Sequence, residues 1–338
     1  MLKSVVRFSL NEGRGLVMAK PKVFIARKLP DEVVEKFKEN MEITMWDSEE
    51  EPVDRTRLLQ EAGQCDGLIT MLTDRVDDEL MDQGKKLKII ANMAVGYDNV
   101  DIQAADKHGI QITNTPDVLT ETTADLTFTL LMAAARRIIE ANEHIKEGKW
   151  ENWSPLFMAG TDVHHKSIGI VGMGRIGQAV ARRAKGFGME ILYHNRSRKE
   201  EAERELGASY HSFDDLLEKA DYVVCLAPLT EETRGMFNQE AFKKMKSSAI
   251  FVNASRGALV DERALYEALV RGEVKAAGLD VFEKEPIDAD HPLLGLDQVV
   301  CLPHIGSAST ETRTAMMELC LENTWKVLNG EKPKTPVN

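Results

Sequence analysis

Arg256, Glu285 and His304 each follow a short apolar run at the point where the chain turns polar or glycine-rich. Arg256 closes Val252-Asn253-Ala254-Ser255 and precedes Gly257. Glu285 follows Asp280-Val281-Phe282 and precedes Pro286, and His304 stands between Leu302-Pro303 and Ile305-Gly306-Ser307. If those runs are strands of one parallel sheet, the three side chains gather beyond its C-terminal edge, where open α/β sheets bind their ligands. A guanidinium can grip a carboxylate and a neighbouring carbonyl oxygen together. An imidazole can hand over a proton, and a carboxylate can orient that imidazole and offset its positive charge. Singly, each residue reads equally well as a surface charge, a solvated loop acid or a turn histidine. The matching placement is what marks a site.

A second constellation would supply the trio with a partner. Ser167-Ile168-Gly169-Ile170-Val171 runs into Gly172-x-Gly174-x-x-Gly177, followed by Gln178-Ala179-Val180-Ala181-Arg182-Arg183-Ala184 of helix-forming composition. Strand, glycine turn and helix start are the parts of a dinucleotide-binding βαβ unit. Gly172 permits the turn, Gly174 lets a pyrophosphate approach the backbone, and Gly177 lets helix and strand pack closely. The phosphates would rest at the positive end of the helix, beside Arg175 and Ile176. Next to a nicotinamide, the arginine, glutamate and histidine would form a reduction site for a 2-keto acid. The next strand ends in His194-Asn195-Arg196-Ser197-Arg198-Lys199. No acid stands there to hold ribose hydroxyls, whereas Arg196 and Arg198, with Asn195 and Ser197, suit a 2′-phosphate. NADPH is therefore the expected cofactor and NADH the lesser one.

The rest of the chain must position these groups. Its 338 residues allow two ordinary domains, and 43% hydrophobic with 29% charged residues is a globular balance. A net charge of -12 argues against nucleic acid or an anionic membrane as partner. Cys65, Cys225, Cys301 and Cys320 lack metal-ligand spacing and read as reduced thiols of a cytoplasmic protein. His164-His165 reads as a solvated turn and Asp47-Ser48-Glu49-Glu50-Glu51 as a solvated loop, so no metal site is expected.

Five apolar runs, at 23–26, 43–46, 67–72, 87–93 and 110–113, alternate with helical periodicity at 32–38, 55–61 and 76–83. They predict a first α/β domain with a parallel sheet covered on both faces. Thr120 is expected to cap one long Ala- and Leu-rich helix from 121 to about 146, buried between domains or subunits. Strands at 190–194, 222–226, 249–253, 276–281 and 299–302, with the run before Gly172, make six for the second domain, interleaved with helices at 213–219, 239–245 and 262–271. A last helix over 310–328 is expected to return to the first domain. The expected organisation is two doubly wound domains. A Rossmann dinucleotide-binding domain over 119–305 is inserted into a flavodoxin-like substrate domain of 18–118 and 306–338, which closes over substrate. Residues 1–17 read as a translated leader or disordered extension, because Met18-Ala19-Lys20-Pro21 looks like a natural start.

Three stretches carry a family resemblance. Asn253-Ala254-Ser255-Arg256-Gly257, Gly278-Leu279-Asp280-Val281-Phe282-Glu283-Lys284-Glu285-Pro286 and Pro303-His304-Ile305-Gly306-Ser307 resemble the signatures of the D-isomer-specific 2-hydroxyacid dehydrogenases. Within that family the chain is most similar to glyoxylate/hydroxypyruvate reductases, over residues 20–338. The resemblance implies reduction of a small 2-keto acid to the D-2-hydroxy acid, with Arg256 as substrate clamp, Glu285 as histidine partner and His304 as proton donor. It implies that Val95 and Gly96, in Met93-Ala94-Val95-Gly96-Tyr97-Asp98-Asn99, offer amides to the substrate carboxylate; separately, loops such as Leu72-Thr73-Asp74-Arg75 and the one around Phe157 are expected to set substrate size. It also implies a homodimer in which Trp153 reaches the neighbouring active site. Further candidate cofactor contacts are Thr123, Ala227, Pro228, Thr233, Ala254, Ser255, Asp280 and Gly306, together with Arg256 and His304. The alternatives are a 2-ketogluconate or phenylpyruvate-type reductase and a dinucleotide-sensing, corepressor-like binding protein.

Overall fold

The structure, a computed structural model, describes residues 19–338, and the leader expected at 1–17 lies outside them. The chain packs as two compact units, one formed up to Pro116 together with Thr314–Asn338, the other by Asp117–Arg313.

In the first unit the elements run β1 (Lys22–Ile25), α1 (Asp31–Lys38), β2 (Glu42–Met45), α2 (Arg55–Ala62), β3 (Gly67–Thr70), α3 (Asp78–Gln83), β4 (Ile89–Asn92), α4 (Ile102–His108) and β5 (Gln111–Thr113). All pairings are parallel, in the order β2-β1-β3-β4-β5. The central β3 and β4 are buried at every position, as a parallel sheet covered on both faces requires. Asp54, Asp77 and Asp101 start α2, α3 and α4 by accepting the amides of Arg57, Leu80 and Ala104. The sequence reading omitted α4, whose signals are Asp101 at its start and Gly109, at φ 68°, just past its end.

In the second unit the order is α5 (Thr120–Ala135), α6 (Ile138–Lys146), β6 (Ser167–Val171), α7 (Arg175–Gly186), β7 (Glu190–His194), α8 (Glu200–Leu206), β8 (Ser209–Tyr210), α9 (Phe213–Lys219), β9 (Tyr222–Cys225), α10 (Gln239–Lys244), β10 (Ile250–Asn253), α11 (Glu262–Arg271), β11 (Ala276–Leu279) and β12 (Val299–Cys301). The parallel sheet reads β12-β11-β10-β9-β6-β7-β8. Its winding reverses at β6, the first strand of the glycine motif, where a doubly wound sheet opens a ligand crevice. Seven strands stand where six were expected. The addition, β8, is two exposed residues paired with Leu192 and Tyr193, too short to leave an apolar run.

Three expectations about the long helix are corrected. It is two helices, broken where Arg137 adopts φ 52° and its guanidinium turns to Glu140. Leu119, without a side-chain cap, precedes Thr120, which is already helical. Nor does α5 need a partner domain to bury it. It lies against α7 and strands β10, β11 and β12 of its own unit, and Leu130 packs directly over Gly278.

After the second unit, α12 (Thr310–Leu328) leads back into the first. Thr324 and Leu328 occupy the space beside Gly67, and the Val337 amide donates to the Ile112 carbonyl at 2.9 Å. Among the described residues, no helix is long and apolar enough to cross a membrane.

The glycine turn is fitted by contact. Gly172 has φ +107°, and a Cβ there would stand 2.4 Å from the Leu226 carbonyl carbon. A Cβ on Gly177 would lie 2.2 Å from the Gly172 oxygen, whereas one on Gly174 would meet nothing within 4 Å. Gly177→Ala should therefore cost about 1–3 kcal/mol in denaturant unfolding, as an overpacked backbone contact does. Gly174→Ala should stay within about 0.5 kcal/mol of the parent. Equal losses in the two variants would refute this account of the turn.

Candidate active site

The ends of β11 and β12 bring the histidine and the glutamate together. Asp280 follows β11, and its carbonyl accepts the His304 amide at 2.8 Å. The same amide lies 3.1 Å from the Leu302 carbonyl, and His304 is held at φ 52°. A left-handed non-glycine residue stores strain, a common mark of functional sites. The His304 Nδ1 stands 2.7 Å from Glu285 Oε2, with the two side chains 24% and 23% exposed. Glu285 Oε1 accepts the Phe282 amide at 2.9 Å. Burial by itself would raise the Glu285 pKa. The His304 hydrogen bond and charge, the Phe282 amide and the Arg256 guanidinium outweigh it and hold the carboxyl below its ordinary range. A carboxylate only accepts, so Nδ1 carries a proton and Nε2 is left for a reacting group.

Arg256 comes from the end of β10. Its carbonyl accepts from Asn253 Nδ2 at 2.9 Å, while Asn253 Oδ1 accepts the Ser255 amide at 3.1 Å. Ser255 Oγ donates to the Ala227 carbonyl at 2.5 Å, and Arg256 Nη1 donates to the Ser255 carbonyl at 2.9 Å. Gly257 lets this turn lie on the glutamate turn, since a Cβ there would be 1.8 Å from the Phe282 carbonyl carbon. The arginine and glutamate loops are therefore in backbone contact. The bracing role of Asn253 is not announced by the motif in which it stands. Its signal is an amide side chain ending an otherwise apolar strand. Glu262, also missed, braces the glutamate turn by accepting the Glu283 amide at 2.7 Å, and His291 stands 3.3 Å from its other oxygen.

Most candidate cofactor residues surround the same sheet edge. Gly172 packs on the start of the Ala227-Pro228 loop, which Thr233 closes by donating to the Pro228 carbonyl at 2.7 Å. The Ala254 amide reaches the Cys225 carbonyl at 3.4 Å. At the other end, a Cβ on Gly306 would stand 3.2 Å from Asp280 Oδ2 and 3.3 Å from Thr123 Cγ2. Asp280 Oδ1 accepts the Ile305 amide at 2.8 Å, but Oδ2 is buried with no hydrogen-bond partner. Burial raises the Asp280 pKa against the opposing pull of the Ile305 amide, His304 and the Gly306 amide. An unsatisfied acceptor at one end and open space above Gly174 at the other fit a dinucleotide laid along this edge. Ile176 packs into the core below the turn, and Arg175 pairs at the surface with Asp117 at 2.7 Å.

The end of β7 divides its two arginines. Arg198 grips Glu203 through Nε at 3.0 Å and Nη2 at 2.6 Å, with its guanidinium over the Tyr210 ring. Tyr193 Oη donates to the same carboxylate and accepts the Lys199 amide at 2.7 Å. Arg198, expected to meet a phosphate, is thus engaged in holding its own loop. Arg196 is exposed and makes no ion pair among the described residues. Ser197 is exposed beside it, its carbonyl accepting from Asn195 Nδ2 at 3.0 Å.

In the first unit, Leu72 follows β3 and Val95-Gly96 follow β4. The Val95 carbonyl is fixed by Asn114 Nδ2 at 2.8 Å, while the Val95 and Gly96 amides donate to no acceptor in the described chain. Trp153 lies in the loop beyond α6 and is 76% exposed.

Comparison with known proteins bears on this arrangement. The family described as D-isomer specific 2-hydroxyacid dehydrogenase, NAD binding domain, matches residues 128–306. A glyoxylate reductase of Korarchaeum cryptofilum is 51% identical over 320 residues, covering 94% of this chain and 96% of the relative. A solved protein of Thermus thermophilus superposes with a TM-score of 0.88 at 44% identity, over 94% of this chain and 100% of that one. The NADPH-dependent glyoxylate/hydroxypyruvate reductase of Sinorhizobium meliloti, solved with NADP and malonate, gives 0.84 at 34% identity, over 94% and 97%. Likeness that runs through the binding domain and nearly the full length of both chains shows that this protein belongs to the D-isomer specific 2-hydroxyacid dehydrogenase family.

Proposed function

We propose that the protein reduces a small 2-keto acid, glyoxylate or hydroxypyruvate, to the D-2-hydroxy acid. The observation that carries this reading is the His304–Glu285 pair at 2.7 Å, in the unit that also holds the glycine turn and the Arg256 loop. The names of the Korarchaeum and Sinorhizobium relatives support the substrate class. When bound, a reduced nicotinamide supplies the hydride. Arg256 holds the carboxylate and the carbonyl oxygen, and its charge is complementary to the oxygen that becomes negative. His304 delivers a proton from Nε2 to that oxygen. Glu285 keeps the ring in the productive orientation and stabilises its cationic form until the proton leaves. The Val95 and Gly96 amides receive the substrate carboxylate.

Oxidation of reduced dinucleotide with glyoxylate or hydroxypyruvate tests the reading. His304→Ala should lower kcat by about 10²–10⁴-fold while leaving dinucleotide affinity in place. Tight dinucleotide binding with no turnover of any small keto acid would favour a sensor.

As a member of this family the chain takes a nicotinamide dinucleotide. We infer a preference for NADPH from the missing acid after β7 and the unpaired Arg196 beside Ser197. The expected roles of the two arginines are no longer equal, because Arg198 is held by Glu203. Arg196→Ala should raise the KM for NADPH about tenfold, the loss of one charge-assisted contact, and barely change that for NADH. Arg198→Ala should weaken both cofactors together by loosening the loop. A parent enzyme that prefers NADH would overturn the inference.

A homodimer is supported by an exposed apolar face on α6 and the loop after it. Ile138, Ile145, Trp150, Trp153 and Leu156 are each at least half exposed. Light scattering should give twice the chain mass, and replacing Ile145 and Trp153 by polar residues should release monomer. A monomeric parent at micromolar concentration would refute the dimer. The unpaired thiols of Cys65, Cys225, Cys301 and Cys320 suit a cytoplasmic setting.

A further inference from the structure

Behind the two proposed substrate loops of the first unit lies a polar chain, with Asn92, Asp74 and Thr70 buried and Asn99 half-buried, to which the proposed reaction assigns no part. Asn99 is its centre. Its Nδ2 donates to the Met71 carbonyl at 3.1 Å and to the Asp74 carbonyl at 2.8 Å, both in the turn that contains Leu72. Asn99 Oδ1 accepts from Asn92 Nδ2 at 3.1 Å, and Asn92 Oδ1, 3.3 Å from Asn99 Nδ2, shares that group's two hydrogens with the two carbonyls. Asn92, fully buried at the end of β4, donates in turn to the Gly96 carbonyl at 3.2 Å and accepts from Thr70 Oγ1 at 3.2 Å. On the other side, the Asp74 carboxylate accepts the Met71 amide at 2.8 Å and faces Arg27 at 3.8 Å. The Arg27 and Asp74 side chains are only 11% and 3% exposed, and Arg27 also reaches Thr73 Oγ1 at 3.2 Å.

The geometry points to Asn99, backed by Asp74 and Asn92, as a positioning residue that fixes the spacing between the Leu72 turn and the Val95-Gly96 amides. Backbone loops after neighbouring strands have no ladder bonds to hold them in register beyond the strand ends. Here one side-chain amide ties the carbonyls of one loop to the asparagine that anchors the other. The hydrogen-bonded network makes the two loops a single rigid cradle for a carboxylate. This inference rests on the reading that Val95 and Gly96 receive the substrate carboxylate.

Two variants and two measurements test it. Asn99→Ala and Asp74→Asn should each raise the KM for glyoxylate about tenfold with kcat changed by less than about threefold, the signature of lost uniform binding. The KM for the dinucleotide should not move. In the free protein, the Thr115 amide, which donates to the Ala94 carbonyl beside Val95, should exchange its hydrogen about tenfold faster in both variants. The amides of Val23, Phe24 and Ile25 in β1 should keep their rates. Unchanged KM, unchanged exchange at Thr115, or exchange accelerated equally through β1 would overturn the proposal, the last by reducing the network to general stability. A parent enzyme without keto-acid turnover would sink the functional reading alone, because the exchange measurement judges the cradle without any substrate.

Discussion

The bond from Glu285 to His304 Nδ1 is the constraint on which the site depends. Without it the ring would have neither a defined tautomer nor a defined direction, and the role of proton donor that we propose for it requires both. The carboxylate stays ionised because its cationic neighbours and the Phe282 amide outweigh burial. The backbone cooperates at a cost, holding His304 in a left-handed conformation so that its amide meets the Asp280 carbonyl. Strain of this kind persists only where surrounding contacts over-determine it. Those contacts come from two adjacent strand ends, β11 and β12, which the sheet register keeps side by side.

The same logic repeats along the sheet edge. Each functional turn is tied down by a buried polar residue at a strand terminus, such as Asn253 behind Arg256 or Asn92 behind Gly96. Strand interiors satisfy their backbone groups in the ladder, but the loops beyond them must find partners elsewhere. An amide side chain, donor and acceptor at once, serves both directions of a turn. Asp280 is the exception, with one buried oxygen left without a hydrogen-bond partner.

Much of this was legible because residue type and local order are linked. Apolar runs at strand spacing, aspartates at helix starts and the glycine turn are local signals, and each marks a backbone geometry that other residues disfavour. The motifs around Arg256, Glu285 and His304 carried the family as well. Less legible was whatever depends on which groups meet. The composition of α5 and α6 reads as one helix, and only Arg137, left-handed itself and paired with Glu140, marks the break. Arg196 and Arg198 look equivalent in the chain, yet Glu203, Tyr193 and Tyr210 single out one of them.

The sequence by itself therefore determined the α/β class, the dinucleotide turn and the histidine and glutamate that meet at the sheet edge, because short-range patterning marks each of them. Only the tertiary structure decided which arginine remains available after β7, which asparagines brace the loops, and how the Gly257 turn rests on the Phe282 backbone. Those outcomes turn on distances between residues far apart in the chain. Hydrogen bonds and close backbone contacts change over fractions of an ångström, a resolution that spacing along a sequence does not carry.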